Sequence, residues 1–174
     1  MKEKLPIEFH YRLPASPDQI SSFFQKAIED ISQHVSLDEK IQSRIKLILI
    51  ELCTNFIKHV SIPEGSLKVR VEENCLWILK SYGEDCFKRL VSEKTKDMGE
   101  GDIRQIAFSK FNRHYVRIED QNLLKFLNPY DHNLPVENLK KHYGLFILTL
   151  AADSFVYEYN KPLEEDSFKL MINW

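Results

Sequence analysis

The chain is poor in residues that punctuate or staple a fold: 5 Gly, 7 Pro and 3 Cys in 174 residues. That scarcity excludes collagen-like and low-complexity classes. Cys53, Cys75 and Cys86 are odd in number and form no Cys-x-x-Cys pair, which fits a reduced, cytoplasmic compartment. No apolar run approaches the ~18–20 residues of a membrane span. The densest, Leu47–Ile50, stops at Glu51. Charge of one sign is also missing: 24 Lys+Arg against 26 Asp+Glu gives −2, so there is no basic footprint for nucleic acid. Lys140-Lys141-His142 is the nearest approach to a basic cluster and reads as a solvated helix face. The opening Met1-Lys2-Glu3-Lys4-Leu5-Pro6 has no apolar signal region, so export is not expected. His-Glu-x-x-His and Gly-x-Ser-x-Gly signatures are absent. What remains is ordinary globular composition, 43% hydrophobic and 29% charged, sized for a single domain over 1–174.

Ile7, Phe9, Tyr11 and Leu13 alternate with polar residues, the period of a half-buried strand. Ser16-Pro17-Asp18-Gln19 reads as a capping box, followed by helical spacing through Ile20, Phe23, Phe24, Ala27, Ile28 and Ile31. Ser36-Leu37-Asp38-Glu39 repeats that signal and opens a longer helix to about Val60. Ile41, Ile45, Ile48, Leu49, Leu52 and Phe56 form its core face. Alternation at Leu67–Val71, the return at Leu76–Leu79 and the Glu73-Asn74 link between them predict a hairpin. Between Ser81 and Pro135 the pattern is irregular. Phe87–Val91 and Ile103–Phe111 read as helical, Tyr115–Ile118 as a short extended piece, and Met98–Asp102 as a loop with a helix cap at Asp102. Asp131-His132 reads as a turn. That irregular segment is expected to be the most mobile. A third helix is predicted over Val136–Ala152, then strands at Phe155–Tyr159 and Phe168–Ile172. Helices segregate from hairpins, so the expectation is an α+β, two-layer sandwich with helices on one face of a mixed, mostly antiparallel sheet.

The long helix carries Glu51, Asn55, Lys58 and His59 at i, i+4, i+7 and i+8, which share one face. An acid and an amide on an apolar helix are costly to bury unless they meet partners or line a site. One reading is a hydrogen-bonded Glu–Asn core pair. The other is functional: Glu51 orients a hydroxyl, and Asn55 offers a neutral hard oxygen to Mg²⁺ beside phosphate. Gly144, in His142-Tyr143-Gly144-Leu145, would let backbone amides approach a phosphate at a helix start, or would serve close helix packing.

Glu51-x-x-x-Asn55-x-x-Lys58-His59, followed by a hairpin, the Tyr143–Ile147 helix with Ala152-Asp153-Ser154, and a closing hairpin, resembles the GHKL family of ATP-binding domains. The likeness is greatest to the bacterial anti-sigma-factor serine kinases. Tyr157-Glu158-Tyr159 and Asp166-Ser167-Phe168 are similar to the SiaB-like protein kinase branch. The resemblance implies a GHKL ATPase-like fold, ATP and Mg²⁺ as cofactors, and phosphorylation of a small regulatory protein of anti-anti-sigma or SiaC-like type. It also suggests a homodimer. By it Glu51 is catalytic, Asn55 binds the metal, Lys58 or His59 contacts phosphate, and Gly83 and Gly144 admit the nucleotide; the long segment before Pro135 covers or replaces the nucleotide lid. The sequence departs from the family where Ser81-Tyr82-Gly83 replaces the adenine-binding Asp-x-Gly. Asp120-Gln121-Asn122 is an alternative alignment for that box. A degenerate module that binds a partner without turnover is the competing reading.

Overall fold

Strand alternation and helix caps account for most of the architecture. The computed structural model describes residues 5–59, 65–82, 93–107, 113–120, 122–136, 143–160 and 165–174. Eight strands form one sheet: β1 (Ile7–Arg12), β2 (Ser66–Val71), β3 (Cys75–Tyr82), β4 (Ile103–Ala107), β5 (Arg113–Asp120), β6 (Leu123–Phe126), β7 (Ser154–Asn160) and β8 (Glu165–Asn173). Their order is β1-β2-β3-β8-β7-β6-β5-β4, and every pairing is antiparallel. The protein is therefore α+β, and the parallel component of the expected mixed sheet is not found among the described residues. Each helical connection, β1 to β2 and β6 to β7, returns the chain to an antiparallel neighbour.

Among the described residues, three helices of eight or more residues join these strands: α1 (Ile20–Ser32), α2 (Glu39–His59) and α3 (Gly144–Ala151). A 3-10 turn at Pro17–Gln19 leads into α1; the Ser16 side chain caps nothing, and Gln19 Oε1 accepts from the Ala15 amide at 3.1 Å instead. α2 is capped by Asp38 rather than Ser36, since Asp38 Oδ1 accepts from the Ile41 amide at 2.7 Å. The cap thus lies two residues after the Ser36 that the pattern predicts, since Ser and Asp are both good caps. Every core position expected on α2, from Ile41 to Phe56, is buried.

Lys80 Nζ reaches the main chain of α2, so the even-numbered residues of β3 face that helix. Register carries the same face across Phe168, Tyr157, Leu124 and Ile118, all buried. The opposite face is half-exposed and carries ion pairs such as Lys68–Glu8 at 2.7 Å and Arg70–Glu72 at 2.9 Å. The two faces thus differ in chemistry as well as in cover.

The segment before Pro135 is more regular than its sequence predicts, because it supplies β4, β5 and β6. Ile103–Ala107 is a strand, not a helix: Ile106 is buried and Ile103 is exposed, too few residues to display a period. Asp102 accordingly caps no helix. Its carboxylate accepts from the Gly99 amide at 2.8 Å, closing a loop in which Gly101 has φ +85°. Of Asp120-Gln121-Asn122, Asp120 ends β5 and its Oδ1 accepts from the amide of Asn122, just before β6, at 2.6 Å, while Gln121 lies outside the described residues. Asp131-His132 lies in a turn, as expected. Phe87–Val91 lies outside the described residues, as does 137–142, the first part of the expected third helix.

Candidate functional site

α3 runs antiparallel to α2. At one end the Arg44 side chain donates to Ala151 O at 2.8 Å and pairs with Asp153 at 2.8 Å. At the other, Gly144 rests on Glu51 and Asn55. A Cβ at Gly144 would come within 3.1 Å of Glu51 Oε2 and 3.4 Å of both Asn55 amide atoms. The glycine is what lets the first turn of α3 approach the polar pair this closely.

Glu51 and Asn55 are half-buried, and among the described residues neither side chain has a hydrogen-bond partner. They are not bonded to each other, as the core-pair reading required. Burial pushes the Glu51 carboxyl above the ordinary carboxylate range, while the Lys58 charge partly opposes it. Lys58 is exposed on the next turns of the same helix. The orphan amides at the start of α3 give that end partial positive charge beside Glu51 and Asn55. A carboxylate, an amide oxygen and a helix N-terminus without a Cβ between them suit a phosphate-bearing ligand.

Among the described residues no group of three or more His, Cys, Asp or Glu could hold a metal on its own. Asn55 therefore fits a cation only as one neutral ligand of several, the rest coming from phosphate oxygens and water.

The structure brings together Glu51, Asn55 and Gly144 and puts Lys58 near them. It does not bring Ser81 there. Ser81 follows the helix-facing Lys80, is exposed, and pairs with Ser66 and Ser167 on the open face. Gly83 and the His59 side chain lie outside the described residues.

Sequence reasoning missed three buried polar groups on the helix-facing side of the sheet. Lys80 donates to Leu52 O at 3.2 Å; Tyr157 Oη donates to Asp166 at 2.5 Å; His114 Nε2 and Thr149 Oγ1 are 2.9 Å apart. Each strand residue continues the apolar parity of its own strand, as in Leu76-x-Ile78-x-Lys80, and that phase was the available signal. No protein-family model matches the chain, and no curated protein matches it.

Proposed function

We propose that this chain is an ATP- and Mg²⁺-dependent protein serine/threonine kinase of the partner-switching type, built on a GHKL-like domain and acting in the bacterial cytoplasm on a small regulatory protein. The observation that carries the reading is the convergence of Glu51 and Asn55 on Gly144. Glu51, its carboxyl made more basic by burial, accepts the proton of a serine or threonine hydroxyl. The hydroxyl oxygen then forms its bond to the γ-phosphorus as the bond to the ADP oxygen breaks. Asn55 would offer its amide oxygen to Mg²⁺, which when bound would neutralise charge on the phosphate oxygens. Lys58 and the α3 amides hold the phosphates, and catalysis is chiefly positioning.

One observation favours the second reading, a partner-binding module without turnover. Ser81, in the box that should recognise adenine, points away from the helix layer. A melting experiment with ATP–Mg²⁺ decides between them, because a ligand of the native state raises the melting temperature. The kinase reading requires that rise, its loss in Asn55→Ala, and transfer of γ-phosphate to a protein pulled down from native extract. No rise at saturating ATP–Mg²⁺ leaves the binding module.

A further inference from the structure

α3 has an unusual composition for a helix whose orientation matters. Gly144-Leu145-Phe146-Ile147-Leu148-Thr149-Leu150-Ala151 is apolar on every side, and Leu150 is 47% exposed. A one-sided apolar stripe normally fixes how a helix is rolled onto its sheet. Here any roll buries a similar apolar surface, so packing alone does not select one. Yet Gly144 faces Glu51 and Asn55 so closely that an added Cβ would come 3.1 Å from Glu51 Oε2.

Thr149 is the one polar side chain of the helix, and it is buried. Its hydroxyl lies 2.7 Å from Leu145 O in its own helix and 2.9 Å from His114 Nε2 on β5. His114 is fully buried, edge-on to Phe126 at 5.7 Å, with Nδ1 3.2 Å from Tyr115 O. Thr149 has one hydroxyl proton for two neighbours. Either it goes to Leu145 O and the imidazole donates to Thr149, or it goes to Nε2 and Nδ1 donates to Tyr115 O. Both arrangements tie α3 to the sheet. Any other roll leaves the hydroxyl only Leu145 O of its own helix and strands His114 Nε2 in an apolar layer, a cost that packing, similar at every roll, does not offset.

We propose that Thr149 and His114 form a pin that sets the roll of α3 and thereby aims Gly144 at Glu51 and Asn55. Both are positioning residues, since neither touches the candidate site. The consequence for phosphotransfer rests on the kinase reading above; the geometric claim does not.

A double-substitution cycle in the full chain tests the pin. Gly144→Val puts a branched side chain where a bare Cβ already comes 3.1 Å from Glu51 Oε2, so it should lower the melting temperature while α3 is pinned. In a Thr149→Val background α3 can turn, and the further drop caused by Gly144→Val should shrink to roughly half or less, because coupled sites are not additive. Thr149→Ser keeps the hydroxyl and should restore the full drop. Leu148→Ala lies one helical turn from Gly144 and weakens the core without touching the pin, so the drop should persist there. Additive drops in the Thr149→Val background, or the same shrinkage in Leu148→Ala, overturn the proposal. If Thr149→Val does not fold, the pair His114→Phe with Thr149→Val leaves no polar group stranded and carries the same cycle. ATP–Mg²⁺ gives a second measure: Thr149→Val should bind it roughly tenfold more weakly, a misaligned hydrogen bond's worth, with recovery in Thr149→Ser. A wild-type chain that binds no ATP–Mg²⁺ removes the kinase reading and leaves the cycle to judge the pin.

Discussion

Lys80 Nζ donates to the main-chain oxygen of Leu52 at 3.2 Å, inside the helix–sheet interface and with no solvent exposure. The ammonium also lies 5.5 Å from the Phe56 ring centre. Leu52 adjoins Glu51, so a side chain of the sheet grips α2 at the turn that carries the candidate site.

Burial lowers the Lys80 amine from its ordinary 10.5 to about 7. Below pH 10.5 the unfolded chain takes up a proton that the folded chain refuses until about pH 7. Stability should therefore fall as pH drops from 9 toward 7, by up to ~1.4 kcal/mol per pH unit. Lys80→Met keeps the stem and removes the charge. Its melting temperature should be nearly flat over that range and no lower than wild type near pH 7. Equal slopes in both proteins would show that Lys80 is not the group responsible.

His114 gives the corresponding acid-side expectation. Burial lowers its imidazole from 6.5 to about 4, against the raising effect of main-chain bonds at Tyr115 and Leu145. Between those values the unfolded chain binds a proton that the folded chain does not, so stability should fall as pH drops from 6.5 to 4. Subtracting the melting profile of His114→Phe isolates this contribution from carboxylates that titrate nearby. An unchanged acid limb in the variant would contradict the assignment.

Gly65 is a packing constraint with a sharp expectation. A Cβ there would overlap the Phe56 ring, and Phe56 is 4% exposed in the core. The Gly65 carbonyl is also held by the Leu13 amide at 2.8 Å, so the backbone cannot readily retreat. Gly65→Ala should destabilise the protein by roughly 1–3 kcal/mol, the usual cost of overpacking. Phe56→Leu should recover part of that loss when combined with it. Denaturant midpoints of the three variants check both statements.

α2 was legible because Ile41 to Phe56 repeat at helical spacing over about four turns between charged residues, and the β2–β3 hairpin because Leu67–Val71 alternate and the apolar Leu76–Leu79 return just after Glu73-Asn74. The strands β4 to β6 were not. β6 has only four residues, and His114 occupies an apolar phase of β5, which hides its alternation. At the site, helical spacing alone put Glu51 and Asn55 on one side of α2. Their meeting with Gly144 depends on contacts across 93 positions of chain for Glu51 and 89 for Asn55, which no local period encodes. Ser81 shows the converse. Its place beside the hairpin suggested a role, but its phase, one residue after Lys80, sends it to the other face.

Asn55→Ala and Glu51→Gln should fail in different ways. Asn55 has no hydrogen-bond partner among the described residues, so its removal strands no buried group. Ala is also the better helix former, and stability should stay within about 1 kcal/mol of wild type or rise slightly. If the amide oxygen ligates Mg²⁺ on ATP, the same variant should lose the Mg²⁺-dependent part of nucleotide binding while its far-ultraviolet circular dichroism is unchanged. Glu51→Gln keeps the shape and removes the proposed proton acceptor. It should still bind ATP–Mg²⁺, and phosphate transfer should fall by roughly 10²–10⁴-fold, the range for a lost general base. The variant's residual transfer should be insensitive to pH, whereas wild-type transfer should rise with pH through a value above the ordinary carboxylate range, because burial raises Glu51. A stable Asn55→Ala that binds ATP–Mg²⁺ as tightly as wild type would remove Asn55 from metal binding. An active Glu51→Gln would take the proton-accepting role away from Glu51.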